Sequence, residues 1–580
     1  MGLAKFNPFK RDRQNFPGVV IPLAPSSENP PAYPGTEEKK VSPDDTPLKT
    51  LDRAPSAENG AAASHTGSQP DSSVLTLEQL RAEVDADVST SGRDSVYDRK
   101  AKVINRAIQD IGMGRYQWEL FALCGFGWTA DNLWLQGVAL TLTPLAAEFG
   151  VSSSHVRFTT CALFLGLCIG ASFWGIASDV IGRRLAFNTT LFLAGVFGLA
   201  AGGGPTWVGV CGLYSCLGLG VGGNLPVDGA LFLEFLPFAS GNMLTMLSVW
   251  WPVGQLIGSL LAWAYIPRWS CAENAPVCLK EDNMGWRYLV LTLGAITFVM
   301  FVLRFFFFHL YESPKFLLSR GRQDEAVASV HGIAYKNRTQ TWLTTEILNE
   351  IGGIPEHREK EALSYNEIIK RFFSKFSLDR IGPLFATKRL GFTTVILWFC
   401  WATIGMGYPL FNAFLPQYLS KAGGSENSTY TVYRNYAISS IVGLPGSILA
   451  CYTVEIKYIG RKGTMAIATM ITGVLVFCFT ASTNANVQLA CTCIEAFFQN
   501  IMYGVLYAYT PEVFPAPVRG TGTGIGSCLN RIAGLCAPLV AIYAGDATPE
   551  APIYASGGLI LAAFLAMVFL PIETRGKQTL

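Results

Sequence analysis

A charged or hydrogen-bonding side chain in the middle of a long apolar run is costly unless it has a partner or a task. Four places in this chain meet that description. Asp131 lies midway along the first apolar run, in GWTADNLWLQG. A carboxyl held out of water can take up a proton near neutral pH, which is what a proton-coupling residue must do; the structural alternative is an acid paired with a buried base. Arg531, in SCLNRIAGLCAP, cannot shed its charge, so it needs an anion beside it. Its planar fork suits the carboxylate or phosphate of a bound solute, or else a fixed ion pair with an acid such as Asp131 or Glu495. Asn530 stands next to it. Asp228 lies in GGNLPVDGALFLEF, where Gly222, Gly223 and Pro226 can open a helix and free carbonyls to line a cavity. About 9 Å of helix separates Asp228 from Glu234, so coupling protons, touching substrate and bracing an inner gate are all open to it. Glu495, Gln499 and Tyr503 recur every four residues and share one helix face, and Tyr408 with Asn412 repeats that spacing beside Pro409. Such stripes face a cavity or another helix, not lipid.

Only membrane helices can hold these residues. Half of the 580 residues are hydrophobic and 15% are charged, so the chain carries far more spanning-length apolar runs than a soluble core needs. Six lie at roughly 119–141, 157–178, 184–204, 208–234, 242–266 and 287–310, and six more at 390–418, 433–455, 463–482, 487–510, 520–545 and 553–572. The expected fold is an all-α membrane protein: twelve transmembrane helices in two pseudo-symmetric six-helix halves. A net charge of +2 implies neither nucleic acid nor an acidic partner. No phosphate-cradling loop, metal-ligand cluster or cofactor motif stands out. No nucleophile, base and orienting group occur together, so the chain does not read as an enzyme. Most of the fourteen cysteines lie in apolar runs and read as small core residues. Cys271 and Cys278, in CAENAPVC between two runs, are candidates for a local disulfide if that loop faces outside.

The expected organisation runs in order. Residues 1–118, rich in Pro, Ser, Ala, Asp and Glu, read as a disordered cytoplasmic tail, with a short helix around Leu75–Val84 and an amphipathic approach to the membrane around Gln109–Tyr116. Arg99, Lys100, Lys102, Arg106 and Arg115 precede the first run, which places the N-terminus inside. Residues 119–310 form the first half. Residues 311–389 form a polar cytoplasmic linker with surface helices over Gln323–Ala334 and Tyr365–Phe373. Residues 390–572 form the second half, and 573–580 a cytoplasmic end. Asn427, in Asn-Ser-Thr, is a glycosylation sequon on the predicted outer loop after the seventh run.

Two features repeat at one offset. Gly182 of GIASDVIGRR and Gly460 of Gly460-Arg461-Lys462 are 278 positions apart, as are Glu234-x-x-Pro237 and Glu512-x-x-Pro515. Internal repeats with a site between them are the architecture of many secondary transporters. The repeat places Asp179, Arg183, Arg184 and Glu234 in one charge network, with Glu455, Arg461, Glu512 and Arg519 as its echo. Such a network holds one face shut and breaks when that face opens.

Several of these residues carry a resemblance. Gly175-x-x-x-Asp179-x-x-Gly182-Arg183-Arg184 resembles the loop signature of the major facilitator superfamily. Tyr311-Glu312-Ser313-Pro314-Lys315-Phe316-Leu317 is similar to the PESPRFL element of its sugar-porter-like branch. Pro511-Glu512-Val513-Phe514-Pro515 with Arg519-Gly520, and Glu573-Thr574-Arg575-Gly576, resemble that branch's tenth-helix exit and closing PETKG. The chain departs from the pattern at Val180 and at Lys457, where a basic and an acidic residue are expected. Asp131 resembles the first-helix aspartate of synaptic-vesicle-protein-like, phosphate and aromatic-acid transporters. Asn530-Arg531 with Gly534 and Pro538 looks like the eleventh helix of organic-ion and organic-acid branches, which typical sugar porters lack.

The resemblance implies a proton-coupled secondary transporter of a small organic solute, working by alternating access, with an organic anion or polar metabolite favoured by Arg531. Its expected partners are that solute, protons and the lipid bilayer, and the expected state is a monomer. A sugar porter of the same fold and a non-transporting nutrient sensor are the alternatives. The plasma membrane is the default location, with a vacuolar or vesicular membrane as the second.

Overall fold

The computed structural model describes residues 16, 18–23, 75–91, 96–237, 242–271, 277–353, 381–420, 428–482, 484–514, 519–545 and 550–574. Two helices, α1 (Leu77–Ser91) and α2 (Val96–Ile111), precede the first long helix, α3 (Arg115–Phe149). The first half continues with α4 (Phe158–Ile181), α5 (Arg183–Gly202), α6 (Trp207–Val221) and α7 (Asn224–Phe235), then α8 (Asn242–Leu247), α9 (Trp250–Tyr265) and α10 (Gly285–Val302). The linker holds α11 (Pro314–Ser319), α12 (Gln323–Asn337) and α13 (Thr345–Gly352). The second half is α14 (Lys388–Asn412), α15 (Leu415–Ser420), α16 (Thr429–Thr453), α17 (Gly460–Ala481), α18 (Ala485–Val513), α19 (Arg519–Gly545) and α20 (Ala551–Val568).

Eleven helices among the described residues are long and apolar enough to cross a membrane, counting α6–α7, α8–α9 and α14–α15 each as one broken span. The twelfth span is α3, 35 residues long. Its mean hydropathy is held down by Thr129, Asp131, Asn132, Gln136 and Thr141, all of them buried. Those side chains meet protein, not lipid, so α3 can cross without being apolar throughout.

The two halves repeat one packing scheme. In the first, α3 packs on α9, α4 on α6, and α5 on α10. In the second, α14 packs on α19, α16 on α18, and α17 on α20. These are the same pairs by position in each half: first with fifth, second with fourth, third with sixth. The halves meet chiefly where α4 lies against α19 and α9 against α16.

The repeated loops are built alike. Gly182 (φ 103°) and Gly460 (φ 60°) turn the chain with positive φ, a region costly for a residue with a Cβ. At the first loop Arg183 Nε meets Glu234 at 2.9 Å. At the second, Arg461 pairs with Glu512. Each loop is also capped from the far end of its own half. Glu312 Oε1 accepts from the Arg183 backbone N–H at 3.0 Å. Glu573 accepts from the backbone N–H groups of Arg461 and Lys462, both at 3.1 Å. A carboxylate on helix N-terminal N–H groups satisfies donors that the helix cannot satisfy itself.

One expectation is corrected here. The stretch read as a disordered tail over 1–118 is helical over α1 and α2. Val103, Ile104, Ala107, Ile108 and Ile111 of α2 are buried, and they recur at helical spacing on the face that packs on α11, α12 and α13. The charged residues between them gave the stretch its polar composition. The amphipathic helix lies upstream of Gln109–Tyr116, where the chain instead turns at Gly112 (φ 72°) into α3. The helix expected near Leu75 extends to Ser91, and that expected at Gln323 extends to Asn337. Tyr365–Phe373 and Asn427 lie outside the described residues. Near the start of the chain, the Thr341 N–H donates to Val19 O at 2.9 Å and the Ile21 N–H to Thr341 O at 3.0 Å, so residues 19–21 lie along the linker as a short strap.

Candidate functional site

The centre of the molecule is an ion pair that joins the halves. Arg531 of α19 donates Nη2 to Asp131 Oδ1 of α3 at 3.1 Å. Both are buried, with side chains 6% and 1% exposed. The second carboxylate oxygen of Asp131 accepts from Trp251 Nε1 of α9 at 3.1 Å. An arginine in this setting needs its counter-ion, and Asp131 supplies it.

Aromatic rings close around the pair. Trp251 lies 5.5 Å from the Tyr408 ring and 5.1 Å from that of Tyr503. Tyr507 continues the layer, stacked on Tyr503 at 6.2 Å and edge-on to Trp401 at 4.8 Å. Asn530 donates Nδ2 to the Trp401 carbonyl at 3.2 Å. Asp131, Trp251, Tyr408, Tyr503, Asn530 and Arg531 all line one small cavity of about 20 Å³. That is room for a water, not for an organic solute, so the site is collapsed on itself in this conformation.

Towards the ends of the halves away from the linker, a second set of bonds crosses between them. Gln136 of α3 donates Nε2 to the Tyr408 hydroxyl at 2.6 Å, and its Oε1 accepts from the Tyr436 hydroxyl. Tyr433 donates to Leu140 O at 2.7 Å. Arg157, just before α4, donates to Gln417 Oε1 at 3.0 Å and to Ala541 O at 2.6 Å. These contacts hold the face opposite the linker closed.

The remaining polar stripe on α18 faces inward. Glu495 Oε1 accepts from Gln499 Nε2 at 2.7 Å, and Glu495 is 1% exposed. Asn412 of α14 is buried beside it. Asp228 lies apart from this centre, within the first half. It is paired with Arg304 at 2.8 Å, and both side chains are fully buried. Arg304 also donates to the carbonyls of Leu123 at 2.6 Å and Phe187 at 2.7 Å.

The structure thus brings Asp131, Arg531, Asn530, Tyr408 and Tyr503 together and places Glu495, Gln499 and Asn412 beside them. Arg183, Arg184, Glu234, Arg461 and Glu512 lie at the loop faces, and Glu455 is exposed in the turn between α16 and α17. The side chains of Asp179 and Arg519 lie outside the described set. Cys271 and Cys278 are joined as a disulfide, with Cα atoms 5.7 Å apart. Sequence reasoning passed over Arg304, although a charge inside the run 287–310 was the signal it applied elsewhere. It also passed over Gln136, Trp251 and the loop-capping role of Glu312 and Glu573. Nothing in a single sequence says which backbone N–H a distant carboxylate will reach.

Two similar six-helix halves around a buried, inter-half polar centre define a secondary transporter, and the comparisons give the family. The family described as "Sugar (and other) transporter" matches residues 79–579, and the chain belongs to it, within the major facilitator superfamily. Among its relatives, "MFS siderochrome iron transporter 1" of Ceriporiopsis subvermispora is 44% identical over 84% of this chain and 93% of that protein. "Major facilitator-type transporter hxnZ" of Emericella nidulans is 38% identical over 84% and 90%. A synaptic vesicle 2-related protein of Rattus norvegicus is 26% identical over 82% of each chain. Among solved structures, the proton:xylose symporter XylE shares the fold, with a TM-score of 0.60 at 19% identity over 80% of this chain and 98% of that one.

Proposed function

We propose that this protein is a proton-coupled carrier of a small organic anion or polar metabolite, working by alternating access in the plasma membrane with its linker face in the cytoplasm. The observation that carries the reading is the Arg531–Asp131 pair, which joins the halves and lines the central cavity. A bound carboxylate or phosphate can replace Asp131 on Arg531, because the guanidinium fork accepts either anion. That exchange removes a bond between the halves where they must part. The charge added by the solute is balanced by a proton held on one of the buried carboxyls, Asp131, Asp228 or Glu495. Tyr408, Tyr503 and Asn530 supply the polar rim that orients the solute, and Trp251 and Tyr507 supply its apolar walls. The paired loops Arg183–Glu234 and Arg461–Glu512 act as the cytoplasmic gate.

The name of the relative at 44% identity makes an iron-loaded siderochrome one solute to try. The test is a thermal-shift panel on purified protein at two pH values, with monocarboxylates, dicarboxylates, aromatic acids, phosphate, hexoses, organic cations and such an iron chelate. A ligand at roughly one hundred times its dissociation constant adds about 2.7 kcal/mol of stability. An anion that stabilises the protein, and no longer does so after Arg531→Lys, supports the reading. Stabilisation by neutral hexoses alone sinks it, and Arg531 is then a structural ion-pair partner in a sugar porter.

A further inference from the structure

Each spanning-helix carboxyl that is buried in this fold has a cation, with one exception among the described residues. Asp131 has Arg531 and Asp228 has Arg304; the half-buried Glu148, Glu234 and Glu512 are likewise paired, with Arg287, Arg183 and Arg461. Glu495 forms no ion pair, yet it is 1% exposed. Its Oε1 accepts one bond, from Gln499, and its Oε2 is buried with no hydrogen-bond partner. The Nδ2 of Asn412 lies beside it, near enough to interact but short of a hydrogen bond, and it is neutral. A bare carboxylate in such a place is expensive, and the neutral acid costs far less.

The groups that face it agree. Tyr408 of α14 and Tyr436 of α16 lie within its electrostatic reach, and neither is a cation. The described arginine and lysine side chains on the helices packed against α18 are engaged or remote. Arg434 of α16 donates to its neighbour Asn435. Arg461 and Lys462 of α17 belong to the loop at the linker face. Arg531 of α19 holds Asp131.

We propose that Glu495 is the proton-binding site of the carrier, protonated while the face opposite the linker is closed. This rests on the proton-coupled reading above and narrows it to the one carboxyl that no cation neutralises. The proton comes from water and returns to water, with no covalent step. Its loss has a mechanical consequence. Tyr408 and Tyr436 are the two hydroxyls that hold Gln136 across the halves. Of the two, the Tyr436 hydroxyl donates to the Gln136 amide oxygen; a carboxylate accepts hydrogen bonds more strongly than an amide oxygen, so ionised Glu495 draws the Tyr436 hydroxyl off Gln136 and loosens the clasp. Proton binding at Glu495 and closure of that face are one equilibrium.

Infrared difference spectroscopy of the purified protein in lipid tests this with the proton itself as the probe, titrating from roughly pH 5 to roughly pH 9. The wild type should show a carboxylic-acid carbonyl band that disappears as the pH rises. Glu495→Gln should lack that band, Asp131→Asn should keep it, and Glu495→Asp should shift it, which guards against a variant that merely misfolds. A band that persists in Glu495→Gln overturns the proposal, as does a wild type with no protonated carboxyl. A Glu495-dependent band in a protein whose solute flux ignores a pH gradient upholds the proton site and sinks coupled transport instead.

Discussion

Replacing Asp228 by alanine strands a guanidinium. Arg304 is fully buried and touches Asp228 at 2.8 Å. Its other bonds, to the carbonyls of Leu123 and Phe187, and the Phe187 ring 3.5 Å from its carbon, are to uncharged groups. Breaking a buried ion pair from one side costs about 3–5 kcal/mol, because the remaining charge loses its neutraliser but not its burial. The carbonyls and ring soften the loss, so we expect about 3 kcal/mol. At about 2–4 °C per kcal/mol for a unit of this size, the melting temperature in detergent should fall by about 6 °C or more. The double variant Asp228→Leu/Arg304→Met removes both charges and should recover most of the loss, since apolar replacement of a whole buried pair is often neutral. Melting can be followed by tryptophan fluorescence or by thiol exposure of Cys124, which is buried. If Asp228→Ala melts within about 1 °C of wild type, Arg304 is not held as a charge by Asp228 and the reasoning fails.

Four further outcomes follow from the same structure. Gly460→Ala places a Cβ 2.9 Å from the Glu573 carboxyl carbon at a positive φ, so it should cost roughly 1–2 kcal/mol and lower the yield of folded protein, which size-exclusion chromatography reads; an unchanged yield and melting point would contradict the loop geometry. Lys100 is buried between Gln323 and Asn349, with Nζ at 2.7 Å and 3.0 Å from their side-chain oxygens, and burial lowers its pKa. The unfolded chain therefore holds this proton more tightly than the folded one, so stability rises with pH between the lowered and the ordinary lysine values; melting curves across that range should show the wild type gaining on Lys100→Met. Arg157→Ala removes two bonds across the halves and should speed labelling of single-cysteine reporters at the face opposite the linker, with no effect on labelling if that face is held elsewhere. Non-reducing alkylation followed by mass spectrometry should find Cys271 and Cys278 protected until reductant is added.

Much of this protein can be read from its sequence because a membrane allows few solutions. Spanning helices announce themselves by length and apolarity, so twelve spans and their near boundaries follow from composition alone. The 278-residue offset between the glycine-arginine loops, and again between Glu234 and Glu512, states the repeat before any packing is known. A charge in an apolar run also marks itself, which is why Asp131, Asp228, Glu495 and Arg531 stand out by residue type. Partnership was decided only in three dimensions. Arg531 had two acids to choose from, and the way the halves meet, with α4 against α19, brought it to Asp131 and left Glu495 without a cation. Asp228, a candidate for the central site by type, is held within the first half by Arg304, which the π-helical turn Leu303–Phe307 after α10 buries against it. The apolar face of α2 was legible in the spacing of Val103, Ile104, Ala107, Ile108 and Ile111 but was averaged into the polar composition around it; which helices that face covers was decided only by the fold. Local sequence sets which residues cannot face lipid; the long-range fold sets what each one meets instead.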